Sequence, residues 1–267
     1  MNTSEKLQVT LEGGVKRITF NNPTRRNAVD FGMFEAFAAA VEESATDESR
    51  VVVVTGAGEF FCAGLDMGSI SPAELAALDV AAKIRELINP PVARMRSLGK
   101  PFVARVAGPA AGIGFSYVLA SDFVVASEEA TFSQSFIRVG LMPDGGSTYL
   151  LPALVGRARA FALMASGETL TAFDALALGV VSRVVPRGEL DAAVDEVAAR
   201  LAAAPQPSLA RIKAALGLAE RGGGLDAALD FEAQGQADCF ASADFLEGVT
   251  AFLQKRPPQF GKENLKK

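Results

Sequence analysis

Apolar and polar residues alternate through LQVTLEGGVKRITFNNP, with a break at Glu12-Gly13-Gly14. Alternation is the period of a half-buried strand, and glycines between two such runs predict a hairpin. NAVDFGMFEAFAAAVEESATD changes period: Val29, Met33, Phe34, Phe37 and Val41 recur at helical spacing, with Asp30 placed to cap the helix. VVVVTGAG is a continuous β-branched run ending at glycines, as expected of a strand buried on both faces. SPAELAALDVAAKIRELINPPVARMRSLG is helical in pattern, with an expected interruption at Pro90-Pro91.

KPFVARVAG and DFVVAS are two further strand candidates, separated by the small-residue stretch PAAGIGFSYVLASD, and ATFSQSFIRVG is less regular. TYLLPALVGRARAFALMASGETLTAFDALALGVVSRVVP predicts two helices and a short strand, and from Glu189 onward the pattern is almost wholly helical. Strands followed by helices at this spacing predict α/β layers with a helical C-terminal part.

At 267 residues the chain can bury a substantial core as one domain, or as a domain with a smaller C-terminal part. A net charge of −5, dispersed along the chain, argues against a nucleic-acid partner, which would need a basic face. No basic segment followed by an apolar run opens the sequence, and no uncharged apolar stretch is long enough to span a bilayer. A cytoplasmic location without a membrane partner is therefore expected. Cys62 and Cys239 make neither a disulfide framework nor a metal cluster, and each is expected to be a small buried hydrophobe.

The chain contains no histidine. That excludes Ser-His-Asp and Cys-His catalysis and histidine metal sites. Acid/base chemistry is left to carboxylates, Lys, Tyr, Cys or backbone dipoles.

Two segments share a design of buried strand, glycines and helix start: VVVVTGAGEFFCAGLDM and PFVARVAGPAAGIGFSYVLA. Amide groups in such turns form small anion-binding sites, and two converging on one point would make an oxyanion hole. Taken alone, each reads first as chain punctuation, since glycines after strands usually just turn the chain. Gly112-Ile113-Gly114 opens like a dinucleotide fingerprint, but position 117 is Tyr where the third glycine belongs. In GLMPDGGST, Asp144 is a lone carboxylate among glycines, a proline and apolar residues. Read by itself it is an Asp-Gly turn or a helix cap.

Taken together, NPTRRNAVDFGMFEAF, FFCAGLDM, VAGPAAGIGFSYVLASD, VGLMPDGGSTYLLPALVGRARA and EGVTAFLQKRPPQF resemble the crotonase (enoyl-CoA hydratase/isomerase) superfamily over nearly the whole chain. The motifs are closest to the isomerase-like members of phenylacetate degradation. The resemblance implies an α/β fold: a spiral of ββα units over residues 1–200 and a C-terminal helical region over residues 201–267 for trimerisation and CoA contacts. It implies acyl-CoA thioester substrates, a homotrimer or dimer of trimers, and no cofactor, because coenzyme A belongs to the substrate.

Carried over by motif, the amides of Leu65 and Ile113 are the expected oxyanion donors, with Ala63, Gly64 and Gly112 beside them. Arg25, Arg26 and Ala28 correspond to phosphate and adenine contacts, and Phe252 and Lys255 to C-terminal contacts with the nucleotide. A solvated basic turn and an amphipathic helix with one core aromatic are the plainer readings of these two groups. Asp66, at the rim of the same loop, is expected to cap the helix after it. Cys62 has nothing nearby to lower its pKa for a nucleophilic role.

The chain also departs from the family's hydratases. Where they carry two glutamates, the matching positions here are Ser116 and Phe136. Hydration needs one group to activate water and another to deliver a proton. Isomerase-like members instead use an aspartate in a P-D-x-G-x-T context, which is Pro143–Thr148 here. The resemblance thus makes Asp144 the acid/base group of a double-bond shift from a 3-enoyl-CoA to a 2-enoyl-CoA. Hydration or other enolate chemistry, and non-catalytic acyl-CoA binding, remain as alternatives.

Overall fold

Strand β3 (Val51–Gly56) alternates between two cores. Val52 and Val54 join one apolar cluster and Val51 and Val53 the other, all fully buried. This explains the unbroken valine run: both faces of the strand are covered, so neither face needs a polar residue. The computed structural model describes residues 6–261.

The hairpin forms as expected, β1 (Leu7–Glu12) pairing antiparallel with β2 (Val15–Phe20). Gly13 and Gly14, with φ of +56° and +78°, make the two-residue turn. Asp30 caps α1 (Phe31–Glu43) by accepting a 2.9 Å bond from Met33 N. The stretch expected to break at Pro90-Pro91 behaves differently. Short helices α2 (Pro72–Ala77) and α3 (Val80–Lys83) lead into a π turn, Ile84–Ile88, and then α4 (Asn89–Ser97). The prolines stand in the first turn of α4, where a missing N–H costs nothing, and the widened turn before them accommodates their rings.

Then come β4 (Phe102–Val106), β5 (Ala110–Ala111), α5 (Ile113–Ala120), β6 (Phe123–Ser127) and β7 (Thr131–Ser133). The next region holds more than the two helices and one strand expected from its pattern. It contains α6 (Ser147–Val155), α7 (Arg157–Ser166), β8 (Thr169–Thr171), α8 (Ala172–Ala177) and β9 (Arg183–Val185). Three-residue strands and a six-residue helix are too short to display a period. Helices α9 (Leu190–Ala203), α10 (Gln206–Glu220), α11 (Leu225–Phe240) and α12 (Ala243–Leu253) complete the chain's described part.

One sheet runs β1-β2-β3-β4-β6-β9 and is parallel from β2 onward; a small second sheet runs β5-β7-β8. Helix α9 covers one face of the large sheet through Leu190, Val194 and Val197, while α1 and α5 lie in the cluster on the other. Every residue of α5 is buried, so its sequence shows no amphipathic stripe. This central helix carries Ile113 and Ser116 into the site.

Candidate active site

Two loops meet at glycines. The first follows β3 and pairs with the second through a parallel Cys62–Ala110 bridge, with Ala111 N donating to Cys62 O at 2.9 Å. It also pairs with the segment before α1: Val29 N donates to Gly64 O at 2.8 Å, and Asp66 N to Val29 O at 3.0 Å. Val29 thus uses the groups flanking Leu65, which turns the Leu65 N–H to the opposite side. On the second loop, Ile113 is the first residue of α5, so no carbonyl of its own helix is available to its N–H.

Glycine is what allows the approach. Gly64 (φ +101°) and Gly112 (φ +55°) adopt backbone that other residues take only under strain. A methyl group on Gly64 would stand 3.3 Å from Ala111 O and 4.0 Å from Gly112 Cα, so the two loops are in contact. At Gly114 a methyl would stand 2.5 Å from Cys62 O, so that glycine seats α5 directly on the first loop. Gly64 N donates to Cys62 Sγ at 3.4 Å, and burial pushes the Cys62 thiol up to about 12. A neutral, fully buried thiol has a packing role here.

Asp144 sits on the loop leading into α6, and its Gly145 neighbour packs on Ile113 and Ser116 of α5. Its Oδ1 is buried without a hydrogen-bond partner among the described residues. Burial raises the carboxyl from its ordinary 3.8 to about 6. No ion pair compensates it among the described residues, and the Arg138 guanidinium donates to Gly167 O at 2.6 Å. The nearby Tyr117 hydroxyl is likewise buried and unpartnered, held well above its ordinary 10 by burial first, then by Cys62 and Asp144. Such a carboxyl can exchange a proton near neutral pH and has an oxygen free to do it.

The outer residues divide into two groups. Arg26, Ala28, Ala63 and Asp66 adjoin the first loop: Ala63 N donates to Arg26 O at 3.1 Å, and buried Ala28 precedes the Val29 bridge. Asp66 caps the short turn after the loop, accepting from Gly68 N at 3.1 Å. Its carboxylate also takes the Arg25 guanidinium at 2.6 Å, which holds Asp66 below its ordinary value. Arg25 is therefore committed within the protein, whereas Arg26 is exposed over the Phe60 ring and makes no ion pair among the described residues. Phe252 and Lys255 form the second group, on and just after α12, which packs on α11. Phe252 is no core aromatic: it is 82% exposed. Cys239 is only half-buried, in contrast to the expectation for a core residue.

Sequence reading missed Asn27, Gln134 and Ser147. Buried Asn27 accepts from Asn22 N and donates to Ala57 O and Phe60 O, at 2.9, 2.9 and 2.7 Å, tying the segment before α1 to the first loop. Its left-handed backbone (φ +56°) suits an asparagine, but no local pattern announces its distant partners. Gln134 and Ser147 form a buried hydrogen-bonded group with Ser116. Among the described residues no cluster of three or more Asp, Glu or Cys could hold a metal ion, and no helix is long and apolar enough to cross a membrane.

The spiral of parallel strands and its paired glycine loops define a crotonase fold, and comparison with known proteins agrees. The enoyl-CoA hydratase/isomerase family model matches residues 10–263, and the chain belongs to that family. It is 38% identical over 253 residues to 1,2-epoxyphenylacetyl-CoA isomerase of Escherichia coli, covering 94% of this chain and 96% of that protein. It is also 38% identical to a probable enoyl-CoA hydratase of Rhodobacter capsulatus, covering 95% of this chain and 97% of that one. Among solved structures, an enoyl-CoA hydratase from Polaromonas sp. JS666 superposes with a TM-score of 0.89 at 34% identity, over 95% of this chain and 99% of that one.

Proposed function

We propose that this protein moves a double bond in an acyl-CoA thioester, converting a 3-enoyl-CoA to a 2-enoyl-CoA. The observation that carries the reading is the Asp144 carboxyl: buried on a turn whose Gly145 packs on Ile113 of α5, unpartnered at Oδ1 among the described residues and raised to about 6. The thioester oxygen lies between the Leu65 and Ile113 amides. Asp144 takes a proton from C2, and the electron pair passes into the dienolate, whose negative oxygen these amides stabilise. The resulting carboxylic acid delivers the proton to C4, leaving the double bond between C2 and C3. Removing one oxyanion donor typically costs about 2.7–4 kcal/mol of transition-state stabilisation.

Ser116 and Phe136 support this reading over hydration, because neither side chain replaces a carboxylate that activates water. Coenzyme A lies along the first loop, with Ala28, Ala63, Gly64 and Gly112 beside the thioester end. Arg26 supplies a phosphate contact, while Arg25 acts through Asp66. Phe252 and Lys255 reach a nucleotide from α12, most readily in a neighbouring subunit. A homotrimer is favoured by the apolar side chains that the C-terminal helices leave exposed, such as Leu216, Phe240, Leu246 and Phe252.

The test is a panel of 2- and 3-enoyl-CoA thioesters assayed for isomerisation, hydration and hydrolysis, with 1,2-epoxyphenylacetyl-CoA included because the Escherichia coli relative is named for it. Faster isomerisation than hydration is expected, and hydration as the dominant reaction would refute the proposal.

A further inference from the structure

The Asp144 turn is fixed through its backbone, while its carboxyl is left unbonded at Oδ1. Its carbonyl accepts two hydrogen bonds, from Ser147 N at 3.2 Å and from Ser116 Oγ at 3.0 Å. A carbonyl oxygen has two lone pairs, so both are used and the peptide plane is held in place. Behind Ser116 the hydroxyls continue: Ser116 Oγ and Ser147 Oγ are 2.7 Å apart, and Gln134 Nε2 donates to Ser147 Oγ at 2.9 Å.

The direction of the chain follows from proton counting. Gln134 gives a proton to Ser147 Oγ, and Ser116 Oγ has two carbonyls in reach, Asp144 O at 3.0 Å and Gly112 O at 3.4 Å, the nearer of which takes its single proton. Ser147 therefore donates to Ser116. The order runs Gln134 to Ser147 to Ser116 to Asp144, joining β7's trailing residue, α6 and α5 at one point. Ser116 and Ser147 are fully buried and Gln134 nearly so. Buried polar groups in such a chain hold one another's geometry, since a partner removed leaves a donor or acceptor unsatisfied.

We propose that Ser116, backed by Ser147 and Gln134, is a positioning residue that fixes the Asp144 turn over the Ile113 end of α5 and leaves the carboxyl free to move protons. Its role as a proton mover rests on the isomerase reading above; the positioning itself does not. The ionisable groups acting on this region are Tyr117 and Cys62, both buried with raised pKa values and so neutral. No ion pair engages Asp144 among the described residues, and burial alone accounts for its shift. Releasing the turn lets the carboxylate reach water or the freed Ser147 hydroxyl, and both lower its pKa.

The test compares wild type, Ser116→Ala, Ser147→Ala and Ser116→Thr in the full-length protein. Ser44→Ala serves as a control: Ser44 is equally buried and donates to Ala40 O at 2.9 Å, at the C-terminal end of α1. Two readouts are taken: kinetics on the 3-enoyl-CoA that wild type turns over fastest, and titration of the Asp144 carboxyl by carbon-13 NMR. The resonance is assigned by its loss in Asp144→Asn. Ser116→Ala is expected to lower kcat at least about tenfold with KM within about twofold, since small misplacements of reacting groups are that costly. Its Asp144 midpoint is expected to fall from about 6 towards 3.8. Ser147→Ala shifts both readouts in the same sense, and Ser116→Thr restores them.

Ser44→Ala is expected to lower thermal stability and leave both readouts unchanged. An unmoved midpoint in Ser116→Ala overturns the proposal whatever happens to kcat, as does the same shift in Ser44→Ala. Should Ser116→Ala not fold, Ser147→Ala decides by the same criterion. A wild-type protein that moves no double bond would refute the isomerase reading, and the midpoint would still decide whether Ser116 positions Asp144.

Discussion

Ile113 Cδ1 occupies the space where a side chain on Gly145 would begin: a methyl group there would stand 2.4 Å away from it, and 2.8 Å from Ser116 Cβ. One residue of α5 thus offers its amide to the proposed oxyanion hole and its side chain to the turn bearing Asp144. Gly145 also has φ +57°, so alanine there meets both steric overlap and backbone strain. Gly145→Ala is predicted to lose about 1–3 kcal/mol of stability and to lower kcat by about ten- to a hundredfold. Denaturant unfolding and steady-state kinetics measure the two effects.

The two contributions of Ile113 are separable. Proline is well tolerated at the first position of a helix, and it removes the N–H. Ile113→Pro is predicted to lower kcat by about a hundred- to a thousandfold, the usual effect of losing one oxyanion donor. Ile113→Ala keeps the N–H and loses only the packing, so its kcat should fall distinctly less. Equal losses in the two variants would show that the side chain, rather than the amide, matters.

Gly114 offers a second geometric test. A methyl there meets Cys62 O at 2.5 Å and Cys62 Cβ at 2.7 Å, so Gly114→Ala must push α5 away from the first loop. The Leu65 and Ile113 amides then separate. The predicted result is a large loss of kcat together with a stability loss of about 1–3 kcal/mol, as for other overpacked cores. A crystal structure of the variant would show the displaced helix directly.

The pH dependence follows from one carboxyl. Asp144 rises from 3.8 to about 6 on folding because burial disfavours its charge. The folded state therefore binds the proton more tightly, and stability falls as pH rises through the interval between those two values. The penalty is absent below 3.8 and complete above about 6, reaching at most about 3 kcal/mol. Asp144→Asn should thus be more stable than wild type at pH 8 and nearly equal to it at pH 3.5, as urea titrations at the two pH values would show. For activity the base form is required, so kcat/KM should rise with pH through about 6 and then level off.

Much of this was legible in the sequence because it is local. The Gly13-Gly14 hairpin, the Asp30 cap and the buried valines of β3 each follow from a short window with a clear period. The Leu65 and Ile113 loops and Asp144 were placed by motif. What was not legible is either too short or too distant. Strands β5, β7 and β8 span two or three residues, fewer than one cycle of any pattern can establish. Pro90-Pro91 look like an interruption until the preceding π turn gives them a first-turn position. Ser116, Gln134 and Ser147 meet only in the folded chain, and a serine carries no signal of what it will touch. For Phe252 the helical pattern allows a core aromatic and the resemblance a nucleotide contact; the residue is exposed, on an apolar face that this one chain leaves uncovered.

The central claim is that the Asp144 carboxyl moves the proton. The most direct measurement is proton exchange at C2 of a bound 3-enoyl-CoA in deuterated water, with isomerisation followed in parallel, for wild type and Asp144→Asn. The account predicts that Asp144→Asn loses at least about a hundredfold in both rates while binding the thioester as tightly as wild type. Near-normal exchange and turnover in Asp144→Asn would contradict it.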